Sequence, residues 1–191
     1  MRRVAVLYFS ATGATAALAE ALGAGAGEAG AEVSLCRIAP ERIVEGRFRD
    51  EAALAAADAA DGVAFGSPTY MGGPAAGFKA LADATGERWA ERRWAGKVAA
   101  GFTTGSAPDG DQGHTLAYFA LLAAQHGMLW CGLDLPGGGA DPEGRNRPGA
   151  SLGATAHAPP PGGGPLDPSD LATARHLGRR LATLAARPRR A

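Results

Sequence analysis

The stretch Val4-Ala5-Val6-Leu7-Tyr8-Phe9-Ser10-Ala11-Thr12-Gly13-Ala14-Thr15 decides the fold. Its first six residues are apolar, with β-branched and aromatic members, and read as a strand buried on both faces. Three hydroxyls and a glycine fill the next six residues. An Ala/Leu-rich helix signal follows over Ala14–Gly23, with Leu18 and Leu22 four apart. Strand, polar turn and helix in that order open an alternating α/β chain. Met1-Arg2-Arg3 ahead of the strand mimics an export signal. Six apolar residues are short for one, so the reading is a first strand and a cytoplasmic protein.

Outward from there the alternation continues. Strands are expected at Glu32–Ile38, Gly62–Gly66, Lys97–Phe102 and Met128–Leu133. Helices are expected at Asp50–Asp58, Pro74–Ala84 with its proline at the first position, and Thr115–His126, stopped by Gly127. A last helix, over about 168–187, is capped by Asp167, carries Pro168 in its first turn, and frays at Pro188. Leu171, Ala174, Leu177, Leu181 and Leu184 lie on one face of it. Between Gly132 and Pro165 stand ten glycines and seven prolines. That density reads as a surface excursion without packed strand or helix. The whole is one domain over residues 1–191: an α/β, doubly wound, five-stranded parallel sheet with helices on both faces and the flavodoxin-like order 2-1-3-4-5. This order sets Cys36 and Cys131 at opposite sheet edges, about 19 Å apart, as inert buried thiols beyond disulfide reach.

Composition narrows the function. Across 191 residues, nineteen Lys+Arg balance nineteen Asp+Glu, which argues against a basic nucleic-acid binder and a polybasic membrane-surface protein. With 46% hydrophobic residues the chain is too apolar to be disordered. Two cysteines cannot build a disulfide scaffold or a Cys-rich zinc site, and His114, His126, His157 and His176 show no metal-ligand spacing. No run of eighteen apolar residues suggests a membrane span. Lys79 and Lys97 are the only lysines among many arginines. This looks like GC-rich codon bias, so single Ala and Gly residues carry little weight.

In such a sheet, ligands bind beyond the carboxyl ends of the strands. After the first strand, Ser10, Ala11, Thr12, Gly13, Ala14 and Thr15 lead into a helix N-terminus, whose amides and dipole suit a phosphate. No lysine is present, and Arg2 and Arg3 lie at the far end of the strand, so the loop would bind phosphate with neutral groups only. After the third strand, Pro68, Thr69, Tyr70, Met71 and Gly72 offer an aromatic and a thioether to a flat ring beside permissive glycine. After the fourth, Thr103, Thr104, Gly105 and Ser106 offer uncharged polar groups to a heterocycle edge. A phosphate at one loop and a planar ring against the other two describe flavin mononucleotide, FMN. Gly25-Ala26-Gly27-Glu28-Ala29-Gly30 matches G-x-G-x-x-G, but it follows a helix and precedes a strand, the reverse of a dinucleotide site.

Several segments, in order and spacing, resemble a known family: Val6-Leu7-Tyr8-Phe9-Ser10, Phe65-Gly66-Ser67-Pro68-Thr69, Lys79-Ala80-Leu81-Ala82-Asp83-Ala84-Thr85-Gly86, Gly96-Lys97, Thr103-Thr104-Gly105-Ser106, His126-Gly127-Met128 and Leu152-Gly153-Ala154-Thr155. They resemble the flavodoxin-like NAD(P)H:quinone oxidoreductases of the tryptophan-repressor-binding-protein type. The resemblance implies noncovalent FMN, two-electron reduction of a quinone with NAD(P)H as co-substrate, and a homo-oligomer, dimer or tetramer, with each flavin near an interface. It implies that Ser10, Ala11, Gly13, Ala14 and Thr15 hold the phosphate, that Thr69, Tyr70 and Met71 and then Thr103–Ser106 flank the ring, that Trp89 lines the substrate side, and that His126 approaches the flavin. No side-chain nucleophile or metal is then required. The chain departs from the family at Thr12, where an aromatic is usual, at Tyr70 and Gly73, at Ala107-Pro108-Asp109, and at Pro148–Gly153. Two alternatives remain open: a flavodoxin-type electron carrier, against which the neutral charge counts, and an FMN-binding interaction protein without turnover.

Overall fold

The apolar run at Val4 becomes β1 (Arg2–Tyr8), an inner strand whose residues from Val4 to Tyr8 are all buried. The computed structural model describes residues 1–108, 110–160 and 164–186. After β1 come α1 (Ala14–Glu28), β2 (Ala31–Arg37), the two-residue strands β3 (Ile43–Val44) and β4 (Arg47–Phe48), α2 (Glu51–Ala59) and β5 (Gly62–Tyr70). The chain continues through β6 (Gly73–Pro74), α3 (Ala76–Ala84), α4 (Gly86–Ala90), β7 (Val98–Gly105), α5 (Gln112–Gln125), β8 (Leu129–Trp130), β9 (Ala154–His157) and α6 (Pro168–Ala185). The expected fraying at Pro188, residue 187 and the Asp109 departure lie outside the described residues.

The main strands pair in parallel in the order β2-β1-β5-β7-β8, the expected flavodoxin-like order. The fifth position differs from the sequence reading. Its strand is β8, only two residues long; β9 then resumes the position, pairing Phe102–Gly105 with Ala154–His157. The expectation that no strand survives between Gly132 and Pro165 is therefore corrected. The upper half of β7 needs partners for its backbone groups, and the chain returns to supply them. Gly153 makes the return possible: a Cβ there would lie 2.1 Å from the Gly101 carbonyl oxygen. Pro74 is also not a helix start, because it pairs with Thr69 in β6 and α3 begins at Ala76.

The two faces of the sheet pack differently. One holds Phe65, Phe78, Trp94 and Phe119, with the Phe78 and Phe119 ring centroids 4.6 Å apart. The other is small-residue packing under α1 and α6. Gly25 and Gly178 are the contact points, since a Cβ on Gly25 would lie 1.9 Å from the Arg175 carbonyl oxygen and one on Gly178 the same distance from that of Leu22. Gly25 of the G-x-G-x-x-G match thus lies inside α1 as a helix-packing residue. Fully buried Lys97 donates from Nζ to the carbonyl oxygens of Ala57 and Ala60, at 2.7 and 2.8 Å, and to that of Asp58. These are the last carbonyls of α2, where a cation suits the helix dipole. Both cysteines are free; Cys131 is buried, but Cys36, on the edge strand β2, is only half-buried, because an edge strand has one flank without a neighbour. Burial pushes both thiols up from their ordinary pKa.

Candidate functional site

The register fixes the site. Tyr8, the last residue of β1, stands level with Gly66 on one side and Arg37 on the other, and Gly66 stands level with Phe102. The loops after β1, β5 and β7 therefore leave one edge of the sheet together.

The first loop is built as an open cradle. Ser10 is buried, and its Oγ accepts the Ala16 amide at 3.2 Å. Gly13 caps α1 in a left-handed conformation, φ 101°, with no side-chain capping bond and no acidic residue in the first turn. A Cβ on Gly13 would meet nothing within 4 Å. The first amides of a helix have no intrahelical acceptor; here Ser10 takes that of Ala16, and Gly13 has no side chain to cap the others. Buried Thr15 shares a hydrogen bond with Thr104, 2.9 Å between hydroxyl oxygens, which joins this loop to the end of β7. Opposite lie Pro159, Pro160, Gly164, Pro165 and Leu166, which with Thr12, Gly13, Ala14 and Ala17 enclose about 190 Å³. The proline-rich end of the excursion is thus a wall of this pocket. A helix N-terminus, hydroxyls and a side-chain-free turn without carboxylates fit a phosphomonoester.

The sequence reading of a loop served by neutral groups only needs one correction. Arg37, the last residue of β2, donates from Nη2 to the Ser10 carbonyl at 3.2 Å. It is adjacent through parallel register, which its place 27 residues along the chain conceals.

The second loop is a hairpin with a fixed base and a free tip. Thr69 Oγ1 lies 2.9 Å from Thr103 Oγ1 and 2.8 Å from Thr115 Oγ1. Ser67 Oγ donates to the Pro68 carbonyl and accepts the Ala75 amide, both at 2.9 Å. At the tip, Met71 and Gly72 both have positive φ, 49° and 80°, which closes a two-residue turn. Tyr70 is half exposed and the Met71 side chain lies entirely in solvent. His114, near the start of α5, donates from Nδ1 to the Gly72 carbonyl.

In the third loop Thr103 and Thr104 are buried; Thr103 donates to the Ser67 carbonyl at 2.7 Å. Gly105 pairs with His157 of β9, and His157 Nε2 donates to the Ser106 carbonyl at 3.0 Å. Gln112 donates to the Ala107 carbonyl at 2.8 Å. Sequence reasoning missed His114, His157, Gln112 and Arg37. Arg37, His114 and His157 each touch a loop from an element distant in the chain, where no local spacing marks them; Gln112 reaches back five residues, from the helix after its own loop.

Two expected site residues do not join this edge. His126 follows α5, which runs back to the amino end of the sheet, where the Gly96 amide meets the Gly127 carbonyl at 2.9 Å just before β7. It is buried, stacks on Trp94 with centroids 4.6 Å apart, and its Nε2 lies 2.9 Å from the Thr85 hydroxyl. Thr85 gives its own proton to the Ala82 carbonyl at 2.7 Å. The imidazole is therefore the donor to Thr85, with its proton on Nε2. Burial, helped by the Arg92 charge, lowers its pKa to about 4. His126 thus lies at the amino end of the sheet, away from the three loops of its own chain. Trp89 sits on α4 at the same far end. Its neighbour Arg88 is buried and held by Asp58, at 3.1 Å, and by Glu51. That turns Trp89 outward, 52% exposed.

Among the described residues no group of three or more His, Cys, Asp or Glu is arranged to hold a metal ion, and no helix is long and apolar enough to cross a membrane.

Fold and loop edge together define a flavodoxin-fold flavoprotein. Comparison with known proteins narrows this: the chain belongs to the NADPH-dependent FMN reductase family, whose model matches residues 2–132. It is 34% identical over 201 residues to an Archaeoglobus fulgidus protein named NAD(P)H dehydrogenase (quinone), covering 97% of this chain and 98% of that one. It is 36% identical over 188 residues to the flavodoxin FldP of Pseudomonas aeruginosa, covering 96% and 97%. Among solved structures, a flavodoxin, WrbA-like protein from Agrobacterium tumefaciens superposes with a TM-score of 0.76 at 35% identity, over 97% of this chain and 98% of that one.

Proposed function

We propose that this chain is an FMN-dependent oxidoreductase that passes two electrons from NAD(P)H to a quinone-like acceptor. The observation that carries the reading is the carboxylate-free, open turn at Gly13, aligned by register with two further uncharged loops. Family membership and the quinone-dehydrogenase relatives support it. Bound FMN supplies the two-electron carriage between nicotinamide and quinone. The protein's part is binding and orientation. The amides of residues 11–15 and the Ser10, Thr12 and Thr15 hydroxyls would take the phosphate. Tyr70 and Met71 would cover one side of the ring, and the Thr103–Ser106 backbone would meet its polar edge. His114 and His157 hold the carbonyls of Gly72 and Ser106, and so keep the two ring-facing loops in place.

The protein works as a homo-oligomer in the cytoplasm. An exposed Trp89 at the amino end of the sheet can line a quinone site only on another copy of the chain. A carrier function is the second reading, favoured by the FldP relative and by Thr12, which makes Ser10–Thr15 look closer to electron-carrier flavodoxins. Anaerobic mixing separates the two. An enzyme loaded with FMN loses its yellow colour rapidly with NADH or NADPH and regains it on adding benzoquinone. A carrier stays yellow until a partner reductase is supplied.

A further inference from the structure

We infer that Arg37 is the charge that makes this site select a phosphorylated flavin, FMN, over riboflavin. The inference rests on the flavin reading above and adds a residue which that reading does not contain.

A phosphomonoester carries roughly −1.5 to −2 at pH 7. The cradle at residues 10–15 offers amides, hydroxyls and a helix dipole, which together amount to about half a positive charge at the helix end. Its own sequence contributes no cation. Arg37 brings one. Its backbone is fixed at the end of β2, level with Tyr8, and its guanidinium is tied to the Ser10 carbonyl at 3.2 Å. The cation is therefore anchored to the first residue of the cradle. The nearby phenol of Tyr8 also feels this charge: burial raises its pKa, and the Arg37 guanidinium opposes that rise.

Position also matters. β2 is an edge strand and Arg37 is exposed. A guanidinium there meets solvent and salt, so its effect is moderate and screened. Arginine has donors to spare beyond the Ser10 bond. A role limited to bracing the loop would act on the cradle's shape, and would weaken every flavin alike. A role in charge selection acts only where the phosphate is present.

The test is titration of apoprotein with FMN and with riboflavin, read by quenching of flavin fluorescence at low and high sodium chloride. The proteins are wild type, Arg37→Gln and Arg37→Lys. In Arg37→Gln the FMN dissociation constant is expected to rise about threefold to tenfold at low salt. Riboflavin affinity should stay within about twofold, and the FMN difference should shrink at high salt. Arg37→Lys should keep most of the discrimination, because it keeps the charge. Equal weakening of both flavins, or unchanged FMN binding in Arg37→Gln, overturns the inference while leaving the flavin site standing. So does a rise in the Michaelis constant for NADPH alone with an unaltered FMN-to-riboflavin ratio, which would assign the charge to the nucleotide's 2′-phosphate. Wild-type protein that binds neither flavin overturns the flavin reading and this inference with it.

Discussion

Met71 has a left-handed backbone, φ 49°, and a side chain wholly in solvent. A non-glycine residue pays for that conformation without burying anything, and on the FMN reading it is kept for contact with the ring. Met71→Gly should therefore raise stability by about 1 kcal/mol in urea denaturation while weakening FMN binding. His126 gives a second residue-scale expectation. Its folded pKa of about 4 lies below the ordinary histidine value of 6.5. The unfolded chain thus binds more protons below pH 6.5. Stability present above that pH is lost as pH falls toward 4, at up to about 1.4 kcal/mol per pH unit. Urea denaturation of His126→Gln against pH should show this limb flattened by about one proton. At this scale the sequence displays the loop residues Ser10–Thr15 and Thr103–Ser106, because they sit at strand-to-helix junctions. It hides Arg37 and His157, because their loops are neighbours only through strand pairing.

At the scale of elements, β1, β2, β5 and β7 were legible from apolar runs, and α6 from its Asp167 cap, whose carboxylate accepts the Ser169 amide at 2.8 Å. The split fifth strand was not. Ala154–His157 has one small residue after another and is bounded by glycine and proline, so nothing in its pattern announces a strand. Its pairing comes from the demand of β7 for partners. The crossing of α1 and α6 was hidden as well, because abundant glycine looked like codon bias. Gly178 is a demanding position there, with no room for a methyl group. Gly178→Ala should push the helices apart and cost about 1–3 kcal/mol, typical of overpacking, despite alanine's better helix propensity. Thermal denaturation measures it; an unchanged midpoint would show that the helices separate freely.

For the whole molecule, the order β2-β1-β5-β7-β8 sets the loop edge and the Trp89/His126 edge at opposite ends of one sheet. The sequence could place Trp89 and His126 on their elements. It does not show that both elements run back to the far end, away from the loops of their own chain. On the proposed oligomeric reading, in which Trp89 serves another copy of the chain, Trp89→Ala should leave FMN binding unchanged and raise the Michaelis constant for benzoquinone severalfold in steady-state assays.

The central claim is that the cradle at Gly13 holds the phosphate of FMN. Titration of the apoprotein with FMN, followed by flavin fluorescence and thermal midpoint, tests it most directly. Saturation at one FMN per chain, with a midpoint that climbs as free FMN rises and both effects weakened in Gly13→Val, is the expected result. Fluorescence that stays unquenched and a midpoint that does not move with FMN would contradict the account.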